Sequence, residues 1–427
     1  MPIMHDLFEP ISRDERQAQA VKAWIKAKGH ATIVAATGFG KTTTSCNIIS
    51  KLRTKYPTMS VLVVVPTQNL KEQWEGVLDH KGLGFNTDVQ VMMGASKRQQ
   101  SCDLLIIDEA HKINSEVLSN ILVNTKYKLI LGLTATFERL DGRHEILAKY
   151  APVCDTITME DALLNGWVSK YKDYVVIIDV DDIETYKEYN REFTKAYEFF
   201  QWDFSLAMSM AGTNGFKHRW DYCKKMYPND YEMQKNFLKT VSFNAISFMR
   251  SMQARKKFVQ NHPEKIRIAK EIIKYRSDKK IVTFNANVKM AESYGDGYVY
   301  TGKDGKKKNR ITLEEFSKMP SGVLNSCKMA IEGLNLPDLS VGIQTGIDSS
   351  KTKAVQSLGR VVRLAKGKLG AEFFTLVIND TVETKWMQNA KKDSQIEIID
   401  VENLMHVLKG EPYELYKRKI KNFTFRF

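Results

Sequence analysis

Between the apolar run Thr32 to Ala35 and a helix-like run from Thr43 to Lys55 lies Ala36-Thr37-Gly38-Phe39-Gly40-Lys41-Thr42, and few folds can accommodate that junction. A strand that stops in a glycine turn and feeds a helix aims several backbone N–H groups at one point, with the positive end of the helix dipole behind them. Such a point holds a phosphate. Gly38 and Gly40 let the backbone curl around an anion with no Cβ in the way. Lys41 adds a point charge within reach of the β- and γ-phosphates, and Thr42 offers a hydroxyl to a phosphate-bound Mg²⁺. The pattern G-x-x-x-x-G-K-[ST] would have glycine at 35, where the chain has Ala35; the strand, loop and helix around it carry the reading past that departure.

The flanking pattern predicts an open parallel sheet. Val61 to Val65 are five apolar residues in succession, as a strand covered on both faces requires, followed by Pro66-Thr67 and a helix to about Asp79. A further strand is expected from Asp88 to Met92. Cys102 to Ile107 is another buried strand, and it ends in Asp108-Glu109-Ala110-His111. Ligands of open α/β sheets sit at the carboxyl ends of the strands. Two carboxylates there, beside a phosphate loop, form a Mg²⁺ and water site in which Asp108 holds the metal and Glu109 polarises the attacking water. Leu129 to Leu133 delivers Thr134-Ala135-Thr136, whose hydroxyls can sense a γ-phosphate. Upstream, Gln17 opens an amphipathic helix and carries both the donor and the acceptor that an adenine edge needs.

At 427 residues the chain exceeds one core, and the expectation is two or three domains. No run of about 18 apolar residues spans a membrane and Met1 to Asp14 lacks a signal-like apolar core, so a cytoplasmic, intracellular setting is expected. The five cysteines form no C-x-x-C pair, which argues against a zinc ribbon or a disulfide framework. A net charge of +14 attracts polyanions.

Past Tyr174 to Val180, read as a strand leaving the first domain, residues 181–261 are helical in pattern and rich in aromatics. Phe199, Phe200, Trp202, Phe204, Phe216 and Trp220 either stack bases or build a small helical core. Pro263 restarts an alternation of helices and strands that predicts a second parallel sheet, with Glu372 to Ile378 as its last strand. Within it, Lys303 to Arg310 reads as a flexible cationic loop whose Lys303, Lys306 and Arg310 suit a backbone phosphate. Arg360 and Arg363, three apart after Gln356, share one face of a helix and can reach a γ-phosphate across a cleft.

Gln17, Gly40-Lys41-Thr42, Pro66-Thr67, Asp108-Glu109-Ala110-His111, Thr134-Ala135-Thr136, Glu332-Gly333-Leu334-Asn335-Leu336-Pro337 and Gln356 to Arg363 come in an order and spacing that resembles the DEAH-type helicases of superfamily 2. The resemblance covers most of residues 11–380. The form Arg13-Asp14-x-x-Gln17 looks most like phage-encoded DNA helicases of the UvsW-like and phage T5-type groups, which remodel forks and branched DNA in recombination and repair. Phe137, where many relatives have proline, and Cys327, where threonine or serine is common, depart from the pattern.

The resemblance implies an α/β fold of two tandem RecA-like parallel-sheet domains, at 1–178 and 263–427, with a mainly helical insertion at 179–262 and a basic C-terminal tail. It implies ATP bound between the domains by Gln17, Thr37, Gly38, Gly40, Lys41, Thr42, Asp108, Gly333 and Gln356, with Mg²⁺ on Thr42 and Asp108. Glu109, Lys41, Arg360 and Arg363 would be catalytic, His111, Thr134 and Thr136 would couple hydrolysis to movement, and Pro66 and Thr67 would touch DNA. The function implied is that of an ATP-dependent DNA helicase or translocase, a monomer without membrane contact, acting on forked, branched or single-stranded DNA. An RNA helicase, and a nucleotide-gated binding protein that clamps without unwinding, are the competing readings.

Overall fold

Val61–Val65 is buried at every residue, as a run with no polar position demands of a strand sandwiched between two helical layers. The computed structural model of the protein describes residues 10–113, 115–137, 144–327, 336, 338–348, 350–392 and 394–417. Among them, β1 (His30–Ala35), β2 (Val61–Val65), β3 (Thr87–Val91), β4 (Gln100–Asp108), β5 (Thr125–Thr134) and β6 (Val153–Ile157) form one parallel sheet in the order β3-β2-β4-β5-β1-β6. Alternate residues of a strand feed opposite layers. Val61, Val63 and Val65 pack with Trp24 and Trp74 on one face, while Leu62 and Val64 pack with Ile121 and Leu147 on the other.

The second sheet comprises β7 (Tyr171–Ile178), β8 (Lys280–Asn285), β9 (Tyr298–Tyr300), β10 (Gly322–Cys327), β11 (Val341–Gln344), β12 (Ala371–Ile378) and β13 (Glu397–Asp400), in the order β13-β7-β12-β11-β8-β10-β9. Every pairing in it is parallel. Two parallel α/β sheets in tandem are the expected fold class, but three sequence-based expectations need correction.

The strand read as leaving the first domain is β7, which pairs with β12 from Tyr171↔Ala371 to Ile178↔Ile378 and with β13 on its other side. An unbroken Tyr174–Ile178 run needs a neighbour on each edge, and the second sheet supplies both. The boundary expected at 178 therefore falls at the end of a second-sheet strand. Nor is β12 the last strand in sequence, because β13 follows it and covers that edge of β7. Finally, the expected flexible loop at 303–310 is helical from Lys306, as the first turns of the helix Lys306–Lys318.

After β7 come four helices, Ile183–Phe199, Phe204–Ala211, Gly215–Met226 and Tyr231–Asn261. They close on a core of Phe193, Phe200, Cys223, Val241 and Phe248, with Phe193 and Phe248 stacked at 5.2 Å. Of the aromatics read as either base-stacking or core-forming, Phe200 is buried in this core and Phe199 packs against it, whereas Trp202, Phe204 and Phe216 are exposed. The start of the first of these helices is tied to the helix that follows β12 and to the end of the last. Tyr186 Oη accepts a hydrogen bond from the Val382 N–H at 2.8 Å, and His262 Nε2 lies 2.9 Å from Asp182 Oδ1.

Candidate nucleotide site between the two sheets

The loop after β1 has the geometry its glycines predict. Gly38 and Gly40 hold φ of +89° and +98°, a left-handed backbone that turns the chain into the helix Lys41–Lys55. A Cβ on Gly40 would meet Gln17 Nε2 at 2.6 Å. Gln17 lies directly under the loop, donating from Nε2 to the Phe39 carbonyl at 3.0 Å while its Oε1, buried, has no partner. The Thr37 hydroxyl is likewise buried with no partner. Unsatisfied polar atoms are rare in protein interiors, and two beside one glycine cradle mark a place where a ligand completes the bonding.

Lys41 Nζ donates to the Ala35 carbonyl at 3.1 Å. Burial pushes its pKa down and Arg360 and Arg363 push it further, against the pull of Glu109 and Asp108. The two arginines belong to the second sheet's domain, so one crevice holds groups from both halves. Gly359 shows how close the halves come, since a Cβ there would lie 1.6 Å from Thr37 Oγ1.

At the end of β4, Asp108 is buried, accepts from Trp74 Nε1 at 2.8 Å and from the Glu109 N–H at 2.9 Å, and is pushed up to about 6 by burial and then by Glu109. Glu109 takes a left-handed backbone, φ 51°, that swings its carboxylate off the strand line. Its buried Oε2 accepts no hydrogen bond and lies 3.4 Å from His111 Nδ1. His111 Nδ1 is also 3.0 Å from Thr134 Oγ1, which donates to the Thr136 carbonyl at 2.6 Å. These residues thus form one chain of contacts from the carboxylate to the end of β5. The donor set fits Mg²⁺ and a triphosphate: a hydroxyl at Thr42, a buried carboxylate at Asp108, a lysine and N–H groups at a helix start.

Gln356 and Arg360 lie on the helix Lys351–Val361, with Gln356 buried. Arg363 does not share that helix. The helix ends at Val361, and three successive carbonyls beyond its last full turn are taken by groups outside it. Lys368 Nζ donates to the Val361 carbonyl and, at 2.9 Å, to that of Arg363. The Ser169 N–H donates to the Val362 carbonyl at 2.8 Å, and its Oγ to the Arg363 carbonyl at 3.1 Å. Arg363 is pushed down to about 9 by burial and then by the neighbouring Arg360 guanidinium.

Gly333 lies outside the described residues, as do Glu332 and the tail beyond Lys417. Thr67 caps the helix Gln68–His80, accepting from the Leu70 N–H, and Pro66 precedes it half-buried. Lys303 pairs with Glu292 at 3.2 Å and Arg310 with Glu314 at 2.7 Å, so two of the three expected phosphate contacts in this segment have acidic partners at hand. Local pattern gave no sign of Trp74, Trp167, Ser169 or Lys368. Trp167 packs on Phe39 at the loop tip, ring centres 5.4 Å apart, although the two are far apart in sequence.

Comparison with known proteins agrees with this geometry. Residues 11–88 and 87–139 match the family described as Type III restriction enzyme, res subunit, and residues 233–406 match the ERCC3/RAD25/XPB C-terminal helicase family. The chain is 28% identical to the DNA 3'-5' translocase XPB2 of Sulfurisphaera tokodaii, over 85% of this chain and 80% of that protein. It is 22% identical to the putative helicase 22 of Sulfolobus islandicus filamentous virus, over 89% and 66% of the two chains. It is 21% identical to the transcript termination protein A18 of Yaba monkey tumor virus, over 86% and 72%. In fold it resembles S. cerevisiae Dbp5 bound to RNA and ADP BeF3, with a TM-score of 0.57 at 12% identity over 92% of this chain and 91% of that one. It also resembles the Type ISP restriction-modification enzyme LlaBIII bound to DNA, at 0.56 and 14% over 92% and 31%. No helix among the described residues is long and apolar enough to cross a membrane. The tandem RecA-like halves meet at a shared crevice, and these matches, one to each half, support an ATP-hydrolysing enzyme of the superfamily 2 helicase type.

Proposed function

We propose that the protein is an ATP-driven DNA translocase that remodels forked or branched DNA. The observation that carries this reading is the shared crevice, in which Arg360 and Arg363 from one half act electrostatically on Lys41 of the other. Hydrolysis then needs both halves closed, and product release needs them apart, which turns chemistry into domain motion.

Gln17 Oε1 and Nε2 address the adenine edge, and the Thr37 hydroxyl and the N–H groups after Gly38 hold phosphate oxygens. When bound, Mg²⁺ neutralises charge on the β- and γ-phosphates; Thr42 and Asp108 are the residues that would hold it. Glu109 orients a water and accepts its proton, and the absence of a hydrogen bond on Oε2 leaves an acceptor for it. Arg360 and Arg363 neutralise charge that builds on the transferred phosphoryl group. His111, in contact with Glu109 and Thr134, passes the state of the carboxylate to the end of β5.

DNA as partner is supported by the +14 net charge and by the helix Tyr231–Asn261. Besides Arg255, which is buried against Phe193, that helix exposes five Lys and Arg from Lys235 to Lys257 and has no acidic residue after Glu232. Phe243 and Ile246 are exposed among these cations, a combination suited to phosphates beside an unpaired or junction base. The relative named as a DNA translocase supports the same choice.

The test is ATP hydrolysis and strand displacement on single-stranded, duplex, forked and four-way DNA and on matched RNA, with Glu109→Gln as the inactive control. Forked or four-way DNA should stimulate hydrolysis several-fold more than blunt duplex. Equal stimulation by RNA would remove DNA specificity from the reading, and normal hydrolysis by Glu109→Gln would remove the assigned base.

A further inference from the structure

The short segment Trp167-Val168-Ser169, where the chain crosses from the first sheet to the second, touches both sides of the crevice. On the first side, Trp167 packs on Phe39, and Val168 Cγ1 lies 3.4 Å from where a Cβ on Gly38 would be. Arg13 Nη2 donates to the Trp167 carbonyl, and Trp167 Nε1 donates to the Ile11 carbonyl at 3.1 Å. All three residues of the segment are buried. On the second side, Ser169 takes two of the three carbonyls that follow the arginine helix, and Lys368 takes the remaining one while sharing that of Arg363.

A helix end leaves its last carbonyls without intrahelical donors, and a lysine ammonium there is favoured by the dipole as well as by hydrogen bonding. In this protein those carbonyls belong to Val361, Val362 and Arg363, so the groups that satisfy them also fix the backbone that carries the second arginine. The helical repeat cannot do this, because Arg363 lies past the helix. Glycines at 367 and 370 flank Lys368 in the return to β12, and Gly367 has φ +79°, which lets that strand bend back beneath the helix end.

We propose that Ser169 and Lys368 are positioning residues for Arg363: held through Trp167 and Val168 against the phosphate loop, Ser169 sets where the Arg363 backbone stands relative to that loop, and Lys368 locks it there. Neither side chain is assigned to nucleotide, so both act through Arg363. The proposal rests on the reading of Arg363 as a phosphate-facing group. It makes the domain crossing a gauge of distance between the two halves of the site, in addition to being their covalent link.

The experiment compares Ser169→Ala, Ser169→Thr, Lys368→Met and Lys368→Arg with Arg363→Ala in the full chain, measuring kcat and KM for DNA-stimulated ATP hydrolysis, ADP affinity by calorimetry, and melting temperature. Ser169→Ala and Lys368→Met should lower kcat about tenfold, as misplacement of a transition-state group by under an ångström does, with KM and ADP affinity within about twofold of the parent. Lys368→Arg and Ser169→Thr, which keep the donors, should recover most of the loss. Unchanged kcat in both Ser169→Ala and Lys368→Met, alongside a large loss in Arg363→Ala, overturns the positioning role alone. An unaffected Arg363→Ala overturns the assignment of the arginine on which it stands. A kcat loss matched by an equal loss of ADP affinity and melting temperature also overturns the proposal, since that is the signature of general collapse.

Discussion

Asp108 sits between an indole and a second carboxylate, and burial followed by Glu109 pushes it up to about 6. Between its ordinary value near 4 and about 6 the folded chain binds more protons at this residue than the unfolded chain does, so its contribution to stability falls as pH rises through that window. Above it, the ionised carboxylate is a standing cost, which Mg²⁺ bound there, as proposed, would offset. Asp108→Asn keeps an acceptor for Trp74 and removes the charge. It should raise the melting temperature by about 2–4 °C in calorimetry and lower Mg²⁺-dependent ATP hydrolysis by at least about 100-fold. A lowered melting temperature would contradict the account. In the parent protein, hydrolysis should drop as pH falls through about 6, where protonation of Asp108 competes with the metal. Asp108, Glu109 and Lys41 were legible in sequence because each is fixed by its own strand end or loop. Ser169 was not, because its partner Arg363 is 194 residues away and nothing local marks the pairing.

Elements were read well where periodicity and punctuation agree, as for β1, β2 and β4, and less well where the sheet to which a strand belongs is decided by its neighbours. The residues of β7 spell a buried strand but carry no mark of which sheet will flank it, and β13 is too short, at four residues, to stand out before its partner is known. The same dependence appears in the buried pair of Lys265 with Glu383, where Nζ is 2.6 Å from Oε2 and also donates to the Thr345 carbonyl at 2.9 Å. Glu383 in turn accepts from the Ile378 N–H at 3.1 Å, so the pair ties the helix Pro263–Tyr275 to the ends of β11 and β12. Lys265→Met removes the ammonium that faces this buried carboxylate and should cost about 3–5 kcal/mol in urea unfolding of the full chain. On the helix Tyr231–Asn261, Lys239→Glu with Arg250→Glu should weaken DNA binding about tenfold or more at moderate salt and flatten the dependence of log K on log salt by about two. An unaltered slope would place the phosphate contacts elsewhere.

Across the whole molecule, the two halves are joined by packing as well as by charge. One apolar cluster runs from Trp24 and Ile33 through Trp167 and Val168 to Val361, Val362 and Phe373. Gly359 is packed directly against Thr37 of the other half, and Gly359→Ala drives a methyl into the Thr37 side chain. That variant should show a larger radius of gyration in solution scattering, and kcat reduced about tenfold or more, because the arginines can no longer come within reach of the phosphates. If its scattering and kcat matched the parent, the closed crevice would not be the state that reacts. The existence of a second parallel sheet was legible in the alternation after Pro263, and the resemblance implied that it faces the first across a nucleotide cleft; how tightly the two pack was not legible, since that depends on residues such as Gly359 whose importance is the space they leave empty. The placement of β7 has one more consequence. Because that strand precedes the four-helix insertion and belongs to the same lobe as the helix that follows it, the insertion has both roots in one lobe, and among the described residues the polypeptide passes from the first sheet to the second a single time. The cationic helix and the arginines are therefore carried on a common chassis, so that on the proposed reading each opening of the nucleotide crevice would displace a strand held by that helix by a matching stroke.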